Sequence, residues 1–344
     1  SSLFGLFVEH GPLIVNKDLT VTRRKYSWAN EFSMLYIDNP AGTGFSFTQN
    51  DAGYANNEND VARDLYEALQ QFFKLFSELR ANDFYITGES YAGKYVPAIA
   101  YKIHTERNAN LSLKGIAIGD GLCDPVTMFD YGDFLYQTGH IDELQLHHFR
   151  VEQGKAVQYI NEGRYLKALD IFHELISDFT KDSGINFVYN FLYTNAPKSF
   201  EYYNQYLALP EVRKAIHVGN LTYNDGSEVA KHLRSDFMQS VKPWLAVLMD
   251  NYRVLIYSGQ LDVIIAAPLT ERFLQSVKWK HRKEYLNASK IIWKVDPNDE
   301  EVAGYVRKVH DFHQVIVRKA GHILPFDQPR AAYDLITRFV YNRF

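Results

Sequence analysis

The chain has 344 residues, 46% of them hydrophobic, and a formal net charge of −4. That length suffices for one large domain or two ordinary ones. There is no long run of Lys or Arg and no apolar stretch near the roughly 18 residues of a membrane span, which argues against nucleic-acid and membrane-surface partners. Cys123 is the only cysteine, so no intrachain disulfide is available.

In chain order, the apolar stretch Ser1–Val8 lacks the basic n-region of a signal peptide and reads as the middle of a domain. Phe32–Asp38 is a mostly apolar run stopped by Asn39-Pro40-Ala41-Gly42, which predicts a buried strand. Val61, Leu65, Leu69, Phe72, Phe73 and Phe76 then recur at helical spacing, with Asn and Asp upstream as N-caps. A second strand is expected at Asp83–Thr87, followed by Gly88-Glu89-Ser90-Tyr91-Ala92-Gly93 and a helix over Lys94–His104. A serine between small residues on a strand-to-helix turn is the pattern of a nucleophile elbow. Such a turn aims the Ser90 hydroxyl away from the sheet and sets the Tyr91 N–H at a helix N-terminus, where it can stabilise an oxyanion.

Gly115–Gly119 reads as the next strand, so strand and helix alternate and a parallel sheet with right-handed crossovers is expected. From about 124 to 207 the pattern turns helical and aromatic, as in a cap inserted between sheet strands, within one domain spanning 1–344. The sheet resumes at Arg253–Tyr257 and at His313–Val317, and a closing helix is expected over Arg330–Tyr341.

An elbow serine needs a histidine base, and the base needs an acid to hold its tautomer. In α/β-hydrolases they follow in the order Ser, acid, His, each after a strand. Asp262 follows the Arg253–Tyr257 strand and His322 follows His313–Val317, so Ser90, Asp262 and His322 form the expected set. Asp120 also follows a strand and is the competing acid; Asp38 precedes the serine, and His313 lies inside a strand. No His-Glu-x-x-His or cysteine-based zinc spacing occurs, so neither a metal nor a cofactor is expected. Asn110, Asn220 and Asn287 head Asn-x-Ser/Thr sequons and are candidate N-glycosylation sites, about as many as chance provides.

Four ordered blocks, over essentially the whole chain, resemble the serine carboxypeptidase family and its vitellogenic-like branch in animals. They are Asp38–Ser46, Gly88–Pro97, Tyr257–Asp262 and Gly321–Pro329. The resemblance implies an α/β-hydrolase fold and removal of one C-terminal residue from peptide or protein substrates through an acyl-enzyme. It implies further that Glu9, in Glu9-His10-Gly11-Pro12, and Glu89 bind the substrate's terminal carboxylate. Three carboxylates together would repel, so this binding requires protonated side chains and favours activity at acidic pH. The family's Trp-x-x-Gly-Gly-Pro-Gly-Cys block, expected to carry a second oxyanion donor, would lie just before Ser1, and leading sheet strands with it. The family's several disulfides have no counterpart here. A secreted or lysosomal/vacuolar location is the corresponding expectation. An acyltransferase on the same scaffold, or a binding protein without catalysis, are the alternatives.

Overall fold

The computed structural model describes residues 2–106 and 109–344; Ser1, at the head of the apolar N-terminal stretch, lies outside them. Its centre is a six-stranded sheet. The strands are β1 (Phe84–Glu89), β2 (Leu113–Gly119), β3 (Arg253–Gly259), β4 (Ile291–Trp293), β5 (Gly304–Val309) and β6 (Phe312–Val317). Their spatial order is β1-β2-β3-β6-β5-β4. The first four in that order run parallel, while β5 and β4 add an antiparallel edge.

The continuous apolar runs in β2 and β3 follow from burial on both faces. Ile116, Ile118, Val254 and Ile256 join one core, whereas Ala117, Leu255 and Tyr257 join the other with Val315, Val317, Leu335 and Phe339. Helix α1 (Glu58–Leu75) is capped by Asn57, whose side chain accepts from the N–H groups of Asn59 and Asp60. Its inner face buries Val61, Leu69 and Phe73. Helix α2 (Ala92–Thr105) leaves the elbow and packs on α1. Between β2 and β3 come α3 (Tyr131–Gln137), α4 (Glu143–Asn161) and α5 (Tyr165–Ser183), followed by shorter turns of helix. The closing helix α6 (Pro329–Val340) buries Leu335, Ile336 and Phe339 against the sheet, and Val340 only partly.

One expected strand needs correction, and two strands were not expected. Phe32–Asp38 forms no strand: it runs irregularly and half-exposed, and among the described residues no strand lies alongside to take up its N–H and C=O groups. β5 escaped the reading because Gly304-Tyr305-Val306-Arg307-Lys308-Val309 interrupts its apolar side with cations. β4 escaped it because it is three residues long, with Ile291 and Ile292 60% and 67% exposed. The chain belongs to the α/β-hydrolase architecture, with the elbow strand β1 paired on one side only.

Candidate active site

Ser90 sits at the carboxyl end of β1 with φ of +62°, a left-handed conformation that costs a non-glycine residue about 1–2 kcal/mol. The turn is held by the bonds its backbone makes. Ser90 N–H donates to Gly119 O at 3.0 Å, and Ser90 O accepts from Gly93 N–H at 2.9 Å and Leu122 N–H at 3.0 Å. Small neighbours are obligatory: a Cβ on Gly88 would lie 2.6 Å from Ala92 Cβ and 2.8 Å from Val96 Cγ2. Tyr91 occupies the N-cap of α2.

Below the elbow lies a buried polar cluster for which the sequence carried no local signal. Lys94 is fully buried and pairs with Asp236, Nζ to Oδ2 at 3.0 Å, while also donating to the Asp236 carbonyl. Tyr91 Oη donates to the same carboxylate at 3.1 Å, which ties the elbow to a residue 145 positions away. Glu58 packs beside Asp236 with both carboxyl oxygens buried. Burial, and then the Asp236 charge, push its carboxyl up to about 9, so it is neutral.

The acid and base loops follow the adjacent parallel strands β3 and β6 and are stitched together. Gln260 N–H donates to Val317 O at 3.0 Å and Leu261 N–H to Ala320 O at 2.8 Å. A side chain at Gly259 would meet the Gly321 carbonyl at 2.0 Å, so glycine is what lets the loops touch. Asp262 Oδ2 accepts from His322 Nδ1 at 2.7 Å, and both side chains are buried. Asp262 Oδ1 accepts the Ile265 N–H at 3.2 Å. Nδ1 therefore carries hydrogen and Nε2 is the basic nitrogen; Nε2 is buried and has no partner among the described residues.

A loop from the helical region closes over His322. The Tyr189 ring stacks on His322, centroids 4.7 Å apart, and Tyr189 O accepts the His322 N–H at 2.6 Å. Phe191 N–H reaches Leu261 O at 3.1 Å, and Val263 N–H reaches Val188 O at 3.1 Å. Tyr189 was not foreseen, because nothing local in the sequence announces a contact across 133 residues.

Glu9 and Glu89 come together as a carboxyl pair beside these groups. Arg24 fixes the Glu9 loop by donating to the carbonyls of Gly11 at 2.9 Å and Phe7 at 2.6 Å. Next to Glu9, His10 lies flat on Trp28, rings 3.9 Å apart. Burial, and then Arg24, lower its imidazole to about 3. Burial raises Glu9 as well, and raises Glu89 well above the usual carboxylate range, with the Glu9 and Asp120 charges adding to the second shift. Among the described residues Glu89 Oε2 is buried without a partner unless the pair shares a proton.

Asp120, the competing acid, is fully buried beside Asp262 and His322, with donor atoms of all three within 4.8 Å of one another. A second group at that spacing, His281, Glu284 and His310, lies on the surface. There Glu284 bridges the two imidazoles at 2.7 and 2.8 Å, and exposed Lys280, Arg282 and Lys283 disfavour a cation. Asn110, Asn220 and Asn287 are all exposed.

The fold and the elbow define an α/β-hydrolase. Residues 1–342 match the serine carboxypeptidase family, and the chain belongs to that family. It is 53% identical over 355 residues to the probable serine carboxypeptidase CPVL of Homo sapiens, covering all of this chain and 75% of that protein. It is 46% identical over 356 residues to the venom serine carboxypeptidase of Apis mellifera, covering all of this chain and 76% of the relative. Among solved structures it resembles Kex1Δp, a prohormone-processing carboxypeptidase of Saccharomyces cerevisiae. That likeness has a TM-score of 0.87 at 25% identity and covers 99% of this chain and 80% of the other. The protein is accordingly a serine-type carboxypeptidase acting on peptides. No helix among the described residues is long and apolar enough to cross a membrane.

Proposed function

We propose that Ser90 is the nucleophile, His322 its general base and Asp262 the acid that orients and charges the imidazole. Ser90 Oγ attacks the carbonyl of the C-terminal peptide bond while His322 Nε2 takes its proton. The imidazolium then returns a proton to the leaving amino acid, and water repeats the cycle on the acyl-enzyme. Tyr91 N–H donates to the oxyanion. The Glu9–Glu89 pair, in its protonated form, receives the substrate's terminal carboxylate and so restricts cleavage to chain ends. The observation that carries this reading is the buried 2.7 Å bond from His322 to Asp262 at the ends of neighbouring strands, with Ser90 held at positive φ on the same sheet.

Residues 124–207 act as a cap within a single domain spanning 1–344, a reading supported by the Val188–Phe191 contacts to both catalytic loops. The exposed sequons at Asn110, Asn220 and Asn287 suit glycosylation in a secreted or lysosomal protein. The test is release of the C-terminal residue from a blocked dipeptide between pH 4 and 8. Release on the acid side that disappears in Ser90→Ala is expected. Phosphonate labelling of Ser90 without release, but with transfer to an alcohol acceptor, would indicate an acyltransferase.

A further inference from the structure

Asp120 follows β2 with φ of +42° and is fully buried. Its N–H donates to Tyr257 O at 2.8 Å, and its Oδ1 accepts the Gly259 N–H at 2.8 Å. The turn thus aims its carboxyl at the acid loop. Its Oδ2 is buried with no hydrogen-bond partner among the described residues. What it does have nearby is Asp262, with His322 beyond, all within 4.8 Å.

Two carboxyls this close and out of water do not both ionise beside a neutral imidazole. Asp262 holds the imidazole, so the proton must reside on Asp120. Burial, and then the Asp262 charge, raise Asp120 well above the usual carboxylate range. With a proton on Oδ2, the orphaned atom becomes a donor and Asp262 becomes its acceptor. Asp262 would then receive three donors: Asp120 O–H, His322 Nδ1–H and Ile265 N–H.

We propose that Asp120 is a positioning residue that acts as a neutral acid, donating a hydrogen bond to Asp262 and thereby holding that carboxylate in the orientation that accepts from His322 Nδ1. This rests on the assignment of Ser90, Asp262 and His322 above. A carboxylate fixed by several donors keeps one geometry, so the imidazole it holds keeps its tautomer and presents Nε2 toward the elbow. Glu89, Asp327 and Tyr257 also face Asp120, together with Asp262 and His322; among the described residues no Lys or Arg is in contact with it.

The experiment compares Asp120→Asn and Asp120→Ala by phosphonate labelling of Ser90 and by kcat/KM across pH 4 to 8, with near-UV circular dichroism as the check of folding. Asn mimics the protonated acid, since its amide donates while its carbonyl still accepts from Gly259, and it tolerates positive φ. Asp120→Asn should label within about threefold of the parent. Asp120→Ala should label about tenfold more slowly and lose kcat/KM to the same extent at every pH, because Asp262 loses a donor that fixes its orientation. If alanine does not fold, Asp120→Ser takes its place. Loss of labelling in folded Asp120→Asn would overturn the proposal, because it would require a charged Asp120. A folded Asp120→Ala that labels as fast as the parent would overturn it too, leaving Asp120 purely structural. Asp262→Asn separates this from failure of the underlying assignment: if it labels normally, the acid of the triad has been misplaced.

Discussion

At Glu9 and Glu89 the chemistry turns on one proton. Both carboxyls are raised by burial, so the pair is protonated at acidic pH and loses its proton as pH rises. A substrate carboxylate can accept from the protonated pair and is repelled by the ionised one. We therefore expect KM to rise steeply with pH while kcat changes much less. In Glu9→Gln the amide donates at every pH, so KM should become flatter between pH 5 and 7.5. Steady-state kinetics on a blocked dipeptide decides this, and an unchanged KM profile would sink the role given to the pair. The positions of Ser90, Asp262 and His322 at strand ends were legible in the sequence because each follows its own apolar run and strand ends are read locally. Tyr189 was not, because its stacking on His322 depends on the path of a distant loop. Asp120 stood in the sequence as a rival to Asp262, and only the three-dimensional arrangement makes the two neighbours.

At the scale of elements, the elbow is a strained turn anchored from below. Helix α2 begins on Tyr91 and buries Lys94 one turn later, so the Lys94–Asp236 pair holds the segment that carries Ser90. Removing one partner of a buried ion pair typically costs about 3–5 kcal/mol, because a charge is left uncompensated. Asp236→Ala is expected to lose stability on that scale in urea unfolding at pH 5, and to label more slowly at Ser90 because Tyr91 loses its acceptor. Replacing both partners, as in Lys94→Met with Asp236→Leu, should recover much of the stability. Failure to recover would mean that shape rather than charge sets the cost. The elements themselves were readable where an apolar run is buried on both faces, as in β2 and β3. They were unreadable where sheet membership depends on a neighbour: Phe32–Asp38 has strand composition without a ladder partner, and β4 has a partner with almost no burial.

Across the whole molecule, three buried carboxyl pairs surround the elbow: Glu58 with Asp236, Glu89 with Glu9, and Asp120 with Asp262. Glu58, Glu89 and Asp120 have folded-state values raised above those of the unfolded chain. Their contribution is complete below about pH 4 and is lost as pH climbs toward the folded values, about 9 for Glu58. His10 and His313, lowered to about 3 and about 4, act in the opposite sense. Folding favours their neutral forms, so their contribution is present above about pH 6.5 and is lost as pH falls. With Glu9 and Asp327 raised as well, and His140 lowered, the raised carboxyls outnumber the lowered imidazoles and place maximal stability on the acid side of neutrality. Thermal unfolding should give a higher Tm at pH 5 than at pH 7.5. A Tm that rises from pH 5 to 7.5 would show that the pairs do not hold their protons.

The shared protons can also be regarded as bound ligands. A folded state that binds a ligand more tightly than the unfolded state is stabilised by mass action, and here the ligand is hydrogen ion, whose concentration falls a thousandfold from pH 5 to pH 8. The protein then resembles a metalloprotein facing a chelator: raising the pH past the folded values, about 9 for Glu58, withdraws part of what completes its interior. Enzyme carried through strongly alkaline buffer would be depleted of these protons before any assay begins, and acidification would restore activity only in the fraction that had stayed folded.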